Sequence, residues 1–258
     1  MIRIENIHKS FGDQEVLKGI DFVFEQGNTN LIIGRSGAGK TVMLKILIGL
    51  MQPTKGEVWF GDTNTRNINK IDLRALRMQM GMLFQGNALF DSMTTEENIR
   101  FPLDMFTNLS IKEKRKKVDF CLERVALEGI NNKFPSEISG GMQKRVGIAR
   151  AIVLEPKYLF CDEPNSGLDP KTAIKIDELI YDITNDQNIT TVINTHDMNS
   201  VMEIGENICL LDQGKLVWQG NKEEVMTSDN EVLGKFIFAS PFLQRLKNMA
   251  MSKSQPKT

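Results

Sequence analysis

The stretch Gly34-Arg35-Ser36-Gly37-Ala38-Gly39-Lys40-Thr41 constrains this chain more than any other, because it meets the pattern G-x-x-x-x-G-K-[ST] at every fixed position. Glycines so close together weaken any regular element. Here they let successive backbone N–H groups converge on one concavity that suits phosphate oxygens. Leu31-Ile32-Ile33 ahead of the loop reads as a buried parallel strand, and Thr41 to Leu50 behind it as a helix whose N-terminal dipole faces the anion. Strand, loop and helix in that order argue against a chance glycine-rich turn. In such a loop Lys40 reaches the outer phosphates and the Thr41 hydroxyl is placed for Mg²⁺. Arg35, Ser36, Ala38 and Val42 complete the run expected to face a nucleotide.

At 258 residues the chain can bury a core of its own, as one mixed α/β domain or as one core with a smaller lobe. A net charge of −1 offers no global electrostatic case for nucleic acid or anionic lipid. Cys121, Cys161 and Cys209 show neither metal nor redox spacing, and the last two sit in apolar runs as small hydrophobes. A reducing, cytoplasmic compartment follows. No apolar run approaches the about 18 residues that span a bilayer, and the N-terminus lacks a signal-peptide pattern. A membrane role is therefore expected to come through a partner.

In chain order, Ile2 to Ile7 and Val16 to Phe24 alternate as strands do, with turns at Gly12-Asp13 and Gln26-Gly27-Asn28, so an antiparallel hairpin precedes the loop strand. Phe11 between them could be plain packing; beside a phosphate loop, stacking on a purine is the better reading. Pro53-Thr54-Lys55-Gly56 is a turn, Glu57 to Phe60 a strand, residues 66–77 a short helix, and Met78 to Phe84 an apolar strand running into Gln85. Gln85 is either an ordinary turn residue or a contact for a metal or water. Residues 96–135 read as a small helical lobe, with a capping box at Ser110-Ile111-Lys112-Glu113 opening a helix through about Leu127. The basic cluster Lys112, Lys114, Arg115, Lys116, Lys117 reads as its solvated face rather than a binding patch.

Ser139 is a good N-cap, and Gly140-Gly141 at a helix start expose N–H groups that make a second anion site. Tyr158-Leu159-Phe160-Cys161 is a buried strand ending in Asp162, the acid expected to bind Mg²⁺ in a chain with a phosphate loop. Glu163, expected to project from the other side of that strand, could polarise a water. Thr190 to Thr195 is a further strand with His196 at its C-terminal end. A lone histidine is usually structural, but strand ends are where open α/β sheets place ligands. Strands Asn207 to Leu211 and Leu216 to Trp218 follow, then a short helix capped by Asn221.

In order and spacing these motifs resemble the nucleotide-binding subunit of ATP-binding cassette (ABC) transporters over about residues 1–228. The resemblance implies an α/β fold of P-loop NTPase type: a RecA-like parallel-sheet core, an N-terminal antiparallel β subdomain and a helical lobe inserted at about 86–150. Residues 229–258 would be a short C-terminal extension ending in a disordered tail at about 250–258. It implies ATP and Mg²⁺ as cofactors. Phe11 would stack on adenine, Gly34 to Thr41 would be the Walker A loop, Gln85 the Q-loop glutamine and Ser139 to Met142 the signature. Asp162 would be the Walker B aspartate, a metal ligand with Thr41 and Gln85; Glu163 would be the catalytic glutamate, Ser166 to Asp169 the D-loop and His196 the switch histidine. Lys40, Gln85, Glu163 and His196 are then the catalytic set, with Ser139, Gly140 and Gly141 capping the γ-phosphate from a second chain in a homodimer. Two positions depart from the pattern: Met142 stands where glutamine is usual, with Gln143 one place later, and Gly167 stands where alanine is common, which is expected to loosen the backbone.

Met80-Gly81-Met82-Leu83-Phe84-Gln85, Ala88-Leu89-Phe90-Asp91-Ser92 and Asn98-Ile99-Arg100-Phe101-Pro102-Leu103 resemble one subgroup in particular. This comprises the ATPases of MCE-type phospholipid transporters, among them the bacterial Mla system that maintains lipid asymmetry. Leu233 to Ile237 with Ser240-Pro241-Phe242 resembles that subgroup's C-terminal extension less closely. The implied setting is the cytoplasmic face of the bacterial inner membrane, with an integral-membrane permease pair and an MCE-domain lipid-binding protein as partners; a small regulatory subunit is left open. An importer ATPase for peptides, amino acids or ions is the alternative within transport. A soluble ABC ATPase acting on ribosomes or DNA is disfavoured by the single loop, the short Gln85–Ser139 spacing and the lack of a basic surface, so no nucleic-acid partner is expected. A scaffold without turnover is disfavoured because Glu163 and His196 are both present.

Overall fold

The computed structural model describes residues 1–238, which divide into two units: Met1–Arg66 with the chain from Asn194 onward, and Asn67–Ile193. The first unit opens with β1 (Ile2–Phe11) and β2 (Gln14–Phe24), the expected hairpin, antiparallel from Ile2 opposite Phe24 to Phe11 opposite Gln14. Ile2, Ile4, Ile7, Leu17, Ile20 and Phe24 are buried while their neighbours alternate outward, the period of a sheet with one wet face. Next come β3 (Thr29–Gly34), buried throughout, α1 (Lys40–Leu47), β4 (Lys55–Phe60) and the two-residue β5 (Thr63–Asn64). The antiparallel sheet has the order β2-β1-β4-β5.

The second unit begins with α2 (Lys70–Arg77), β6 (Met80–Leu83), α3 (Thr95–Phe106) and α4 (Ile111–Arg124). A single 3₁₀ turn, Pro135–Glu137, leads to α5 (Gly140–Ile152), β7 (Tyr158–Asp162), α6 (Pro170–Gln187) and β8 (Thr190–Asn194). Its strands lie in the order β8-β7-β6, and β6 runs parallel to β7 from Met80 opposite Tyr158 to Leu83 opposite Cys161. The Ser110–Glu113 capping box forms as expected, and Thr94 with Glu97 makes a second one for α3. α3 falls in the expected helical lobe, though its bounds were not marked in the sequence and Pro102 lies inside it. Ile99 and Leu103, one turn apart, are fully buried and supply the apolar seam that carries α3 through the proline. The 18-residue α6 lay outside the expectation; Asp169 caps it and Pro170 occupies its first turn.

The basic cluster on α4 is not one solvated face. Lys112 and Lys116 are exposed, but Lys114 is buried with its Nζ 2.9 Å from Asp104 Oδ1. Arg115 pairs with Glu96 at 2.9 Å and Lys117 pairs with Glu155. The acids that α3 and the segment between α5 and β7 present turn part of the expected wet stripe into ion pairs.

The chain then returns to the first unit with α7 (Met198–Ile204), β9 (Asn207–Asp212), β10 (Lys215–Gly220), α8 (Lys222–Thr227) and α9 (Glu231–Ile237). β9 is parallel to β3, Leu31 lying opposite Ile208, and antiparallel to β10. Asn230 caps α9 and also donates to the Val217 carbonyl at 3.0 Å, while Leu233 and Ile237 are buried. Ser240-Pro241-Phe242 and the expected disordered end lie outside the described residues.

Candidate active site

The expected site residues fall in both units, and each set is built within its own. In the first, β3 delivers the chain into the loop at Gly34, whose φ is +147° and whose added Cβ would stand 2.3 Å from the Leu211 carbonyl oxygen. Only glycine fits there. α1 begins at Lys40 behind Gly39, with no side chain capping it, so the first-turn N–H groups stay available to an anion. Met43, Leu44, Ile46 and Leu47 bury the opposite face and fix the helix end in place. Lys40 is buried and donates from Nζ to the Gly34 carbonyl at 2.8 Å and the Arg35 carbonyl at 3.2 Å, which gathers its charge into the loop. Arg35, Ser36 and Gly37 are exposed, Ala38 is buried and Val42 half-buried.

Thr41 is exposed, and its hydroxyl accepts from Asn194 Nδ2 at 3.4 Å. Asn194 is fully buried at the tip of β8 and was not among the expected site residues. Its amide side chain at the end of the β-branched run Thr190 to Ile193 is the signal that could have found it. His196 lies two residues beyond β8, exposed, ahead of α7. Asp197 N bonds Thr195 Oγ1 at 3.0 Å and Asp197 caps α7, so a local turn sets where the histidine leaves the strand. Phe11 is 47% exposed at the end of β1, with Lys9 Nζ 5.2 Å from its ring centroid.

In the second unit Asp162 closes β7, half-buried. Glu163 does not continue the strand to its other face, as expected; its φ of +47° turns the chain out of β7. Gln85 Nε2 donates to Glu163 Oε2 at 3.0 Å, so the expected water-activating acid and the Q-loop amide touch directly. Ser139 caps α5, accepting from Met142 N at 3.3 Å, and Ser139 and Gly140 are exposed. A Cβ on Gly141 would come 2.7 Å from Thr172 Cγ2 at the start of α6, a close approach that glycine permits. Gln143 does not substitute for the missing signature glutamine: its Nε2 bonds the Pro135 carbonyl at 2.9 Å. Gly167 has φ +78°, so the residue meets a conformational demand of the D-loop rather than loosening it. Asn165 on the same loop donates to the buried Asp177 at 2.8 Å.

Two further basic residues on α5 were not expected. Lys144, 2% exposed, donates to the Gln85 carbonyl at 2.9 Å, and burial pulls its pKa down while Cys161 and Asp162 pull the other way. Arg150 donates to the Asn87 and Ala88 carbonyls, both at 2.7 Å. Beside this segment a groove of about 380 Å³ is lined by Met82, Phe84, Phe90, Phe101, Pro102 and Phe106 among others.

The residues suit the groups that the loop implies. The first turn of α1 carries no side-chain cap, which leaves its N–H groups for an anion, and the Thr41 hydroxyl and Asp162 carboxylate are hard oxygen donors of the type Mg²⁺ takes. Among the described residues no group of three or more His, Cys, Asp or Glu could hold a metal by itself.

The chain is 39% identical over 236 residues to the "Probable ribonucleotide transport ATP-binding protein mkl" of Mycobacterium leprae, covering 92% of this chain and 68% of that protein. Identity to the methionine import ATP-binding protein MetN 2 of Oceanobacillus iheyensis is 38% over 242 residues, with 92% and 70% covered. For the chloroplastic protein TRIGALACTOSYLDIACYLGLYCEROL 3 of Arabidopsis thaliana it is 35% over 257 residues, with 93% and 74% covered. The dimeric structure of the bacterial ABC transporter cassette MJ0796 matches with a TM-score of 0.78 at 33% identity, over 86% of this chain and 99% of that one. A family model described as ABC transporter matches residues 17–166, a run that takes in the phosphate loop, Gln85, the Ser139 cap and the acid-tipped β7. By that match and those relatives the chain belongs to the ABC transporter family, as an α/β cassette that binds ATP with Mg²⁺ and hydrolyses it.

Proposed function

We propose that this cassette powers an MCE-type transporter that moves phospholipid between the inner and outer membranes of a bacterium. The observation that carries the finer reading is the groove. Met82, Phe84, Phe90, Phe101 and Pro102, which line it, belong to the same runs that resemble MCE-type ATPases. An apolar groove edged by Arg77 and Arg150 suits a permease segment docking from the membrane side. The chloroplast relative, named for a glycolipid, supports a lipid cargo; the mycobacterial and methionine relatives support an importer as the second reading.

In this reading Lys40 and the N–H groups of the loop and of α1 hold the phosphates of ATP, and Phe11 stacks on its base. Thr41, Asp162 and the Gln85 amide oxygen are the donors for Mg²⁺. Bound there, Mg²⁺ would neutralise charge developing on the transferred phosphoryl group. Glu163, held by Gln85, orients the attacking water and accepts its proton, and His196 donates to the γ-phosphate. The Ser139-Gly140-Gly141 end of α5 in a second copy caps that phosphate, making a head-to-tail homodimer the active form; the dimeric MJ0796 cassette supports this. The ATPase domain spans about residues 1–228 with its helical lobe at about 86–150. The dimer is peripheral at the cytoplasmic face of the inner membrane, under a permease pair and an MCE-domain protein, with room in the scheme for a small regulatory subunit.

Affinity purification of the full chain from its own membranes in mild detergent tests this. A polytopic permease with an MCE-domain protein is the expected catch. A permease accompanied by another solute receptor would replace the lipid reading with the importer one. Ribosomes or DNA-binding proteins without a permease would overturn both.

A further inference from the structure

The segment from Gln85 to Ala88 is an awkward piece of backbone. Asn87 and Ala88 are consecutive non-glycine residues in the left-handed region, at φ +60° and +49°. Such conformations persist only where the surroundings over-determine them. The segment's own side chains do little of this, since the buried Asn87 Oδ1 has no hydrogen-bond partner. What grips it is α5. Lys144 Nζ reaches the Gln85 carbonyl at 2.9 Å, and the two arms of the Arg150 guanidinium reach the Asn87 and Ala88 carbonyls at 2.7 Å each. Lys144 does this from a 2%-exposed position, where an ammonium is costly to bury and a neutral side chain would pack more cheaply. Arg150 also lies 6.0 Å from the Phe90 ring, further along the same segment.

We propose that Lys144 and Arg150 are positioning residues for ATP hydrolysis: they clamp the 85–88 backbone to α5 and thereby set the Gln85 side chain that holds Glu163. The clamp makes the Ser139 end of α5 and the Gln85 segment one mechanical piece. A displacement of Gln85 then drags the helix whose start caps a neighbouring copy's phosphate. The inference rests on the reading of Gln85 as part of the catalytic set. Arg145, on the same helix, supplies an internal contrast. It donates to the Val125 and Ala126 carbonyls at 3.2 and 3.0 Å, closing the end of α4 away from Gln85.

Steady-state ATP hydrolysis by the full chain, with thermal melting alongside, tests the clamp. Lys144→Met and Arg150→Met are expected to lower kcat about tenfold with KM for ATP within about twofold, the signature of a group that matters more to the transition state than to binding. Arg150→Lys, which keeps a donor, recovers part of the loss, while Arg145→Met keeps kcat whatever it costs in melting temperature. The Lys144→Met, Gln85→Ala double variant is no slower than Gln85→Ala alone, because both changes act through one side chain. Wild-type kcat in Lys144→Met and Arg150→Met, beside a slow Gln85→Ala, overturns the clamp and leaves the catalytic reading standing. Losses that multiply in the double variant also overturn it. If Gln85→Ala turns over normally, the catalytic reading of Gln85 falls and the clamp with it. Should Lys144→Met not fold, the two Arg150 variants decide the matter.

Discussion

Lys40 spends its charge on two carbonyls of its own loop, Gly34 at 2.8 Å and Arg35 at 3.2 Å, and so stands where a phosphate would need it. Lys40→Met keeps the aliphatic stem and removes the charge. A charge-assisted hydrogen bond contributes about 1.5–3 kcal/mol, so ATP affinity measured by titration calorimetry is expected to fall about 10- to 100-fold. The cysteines behave in the opposite way: burial pushes the Cys121 and Cys161 thiols up to about 12 and raises Cys209 as well. All three are free and buried, so at pH 8 the folded chain is expected to give no reaction with a thiol reagent, and three equivalents after unfolding. Fast labelling of the folded chain would contradict this. The loop, Asp162 and the Ser139 cap were legible in the sequence because their chemistry depends on fixed local spacing. Asn194, Lys144 and Arg150 were not, because each acts on a group remote in the chain: Thr41, Gln85, and the carbonyls of Asn87 and Ala88. A basic residue on a helix carries no mark that says which carbonyl it will meet.

At the scale of elements, the hairpin β1–β2, the loop strand and the short strands β7 to β10 follow directly from alternation and apolar runs. The helices were harder. α3 hides behind Pro102, and α4 looked like a plain amphipathic helix until Asp104, Glu96 and Glu155 took up its basic residues. β6 and α5 meet so closely that a Cβ on Gly81 would lie 2.3 Å from the Ala151 carbonyl and 3.2 Å from Pro156 Cγ. Backbone rather than a flexible side-chain end receives the clash, so Gly81→Ala is expected to cost about 1–3 kcal/mol, the usual range for overpacking a tight core. Urea unfolding measures it, and a midpoint unchanged from wild type would show that the strand and helix are less closely joined than described. Gly81 opens the run Gly81-Met82-Leu83-Phe84 that resembles MCE-type ATPases. Packing demand and subgroup likeness therefore overlap in this strand, and the likeness rests more securely on Phe90, Phe101 and Pro102.

For the whole molecule, the net charge is −1, and among the described residues no helix is long and apolar enough to cross a membrane. The ATPase motifs lie in this chain's own sequence, whereas the lipid of the proposed function rests on resemblance to one subgroup. In the proposed function, hydrolysis rests on Glu163 acting on water and on two copies completing each other's sites. The most direct test is the Glu163→Gln variant, followed by light scattering with and without Mg²⁺-ATP and by phosphate release. Removal of a general base costs typically 10²–10⁴-fold, so turnover is expected to fall at least about 100-fold, while ATP drives the chain to twice its monomer mass and holds it there. Phosphate release near the wild-type rate, or a chain that stays monomeric with ATP bound, would contradict the account.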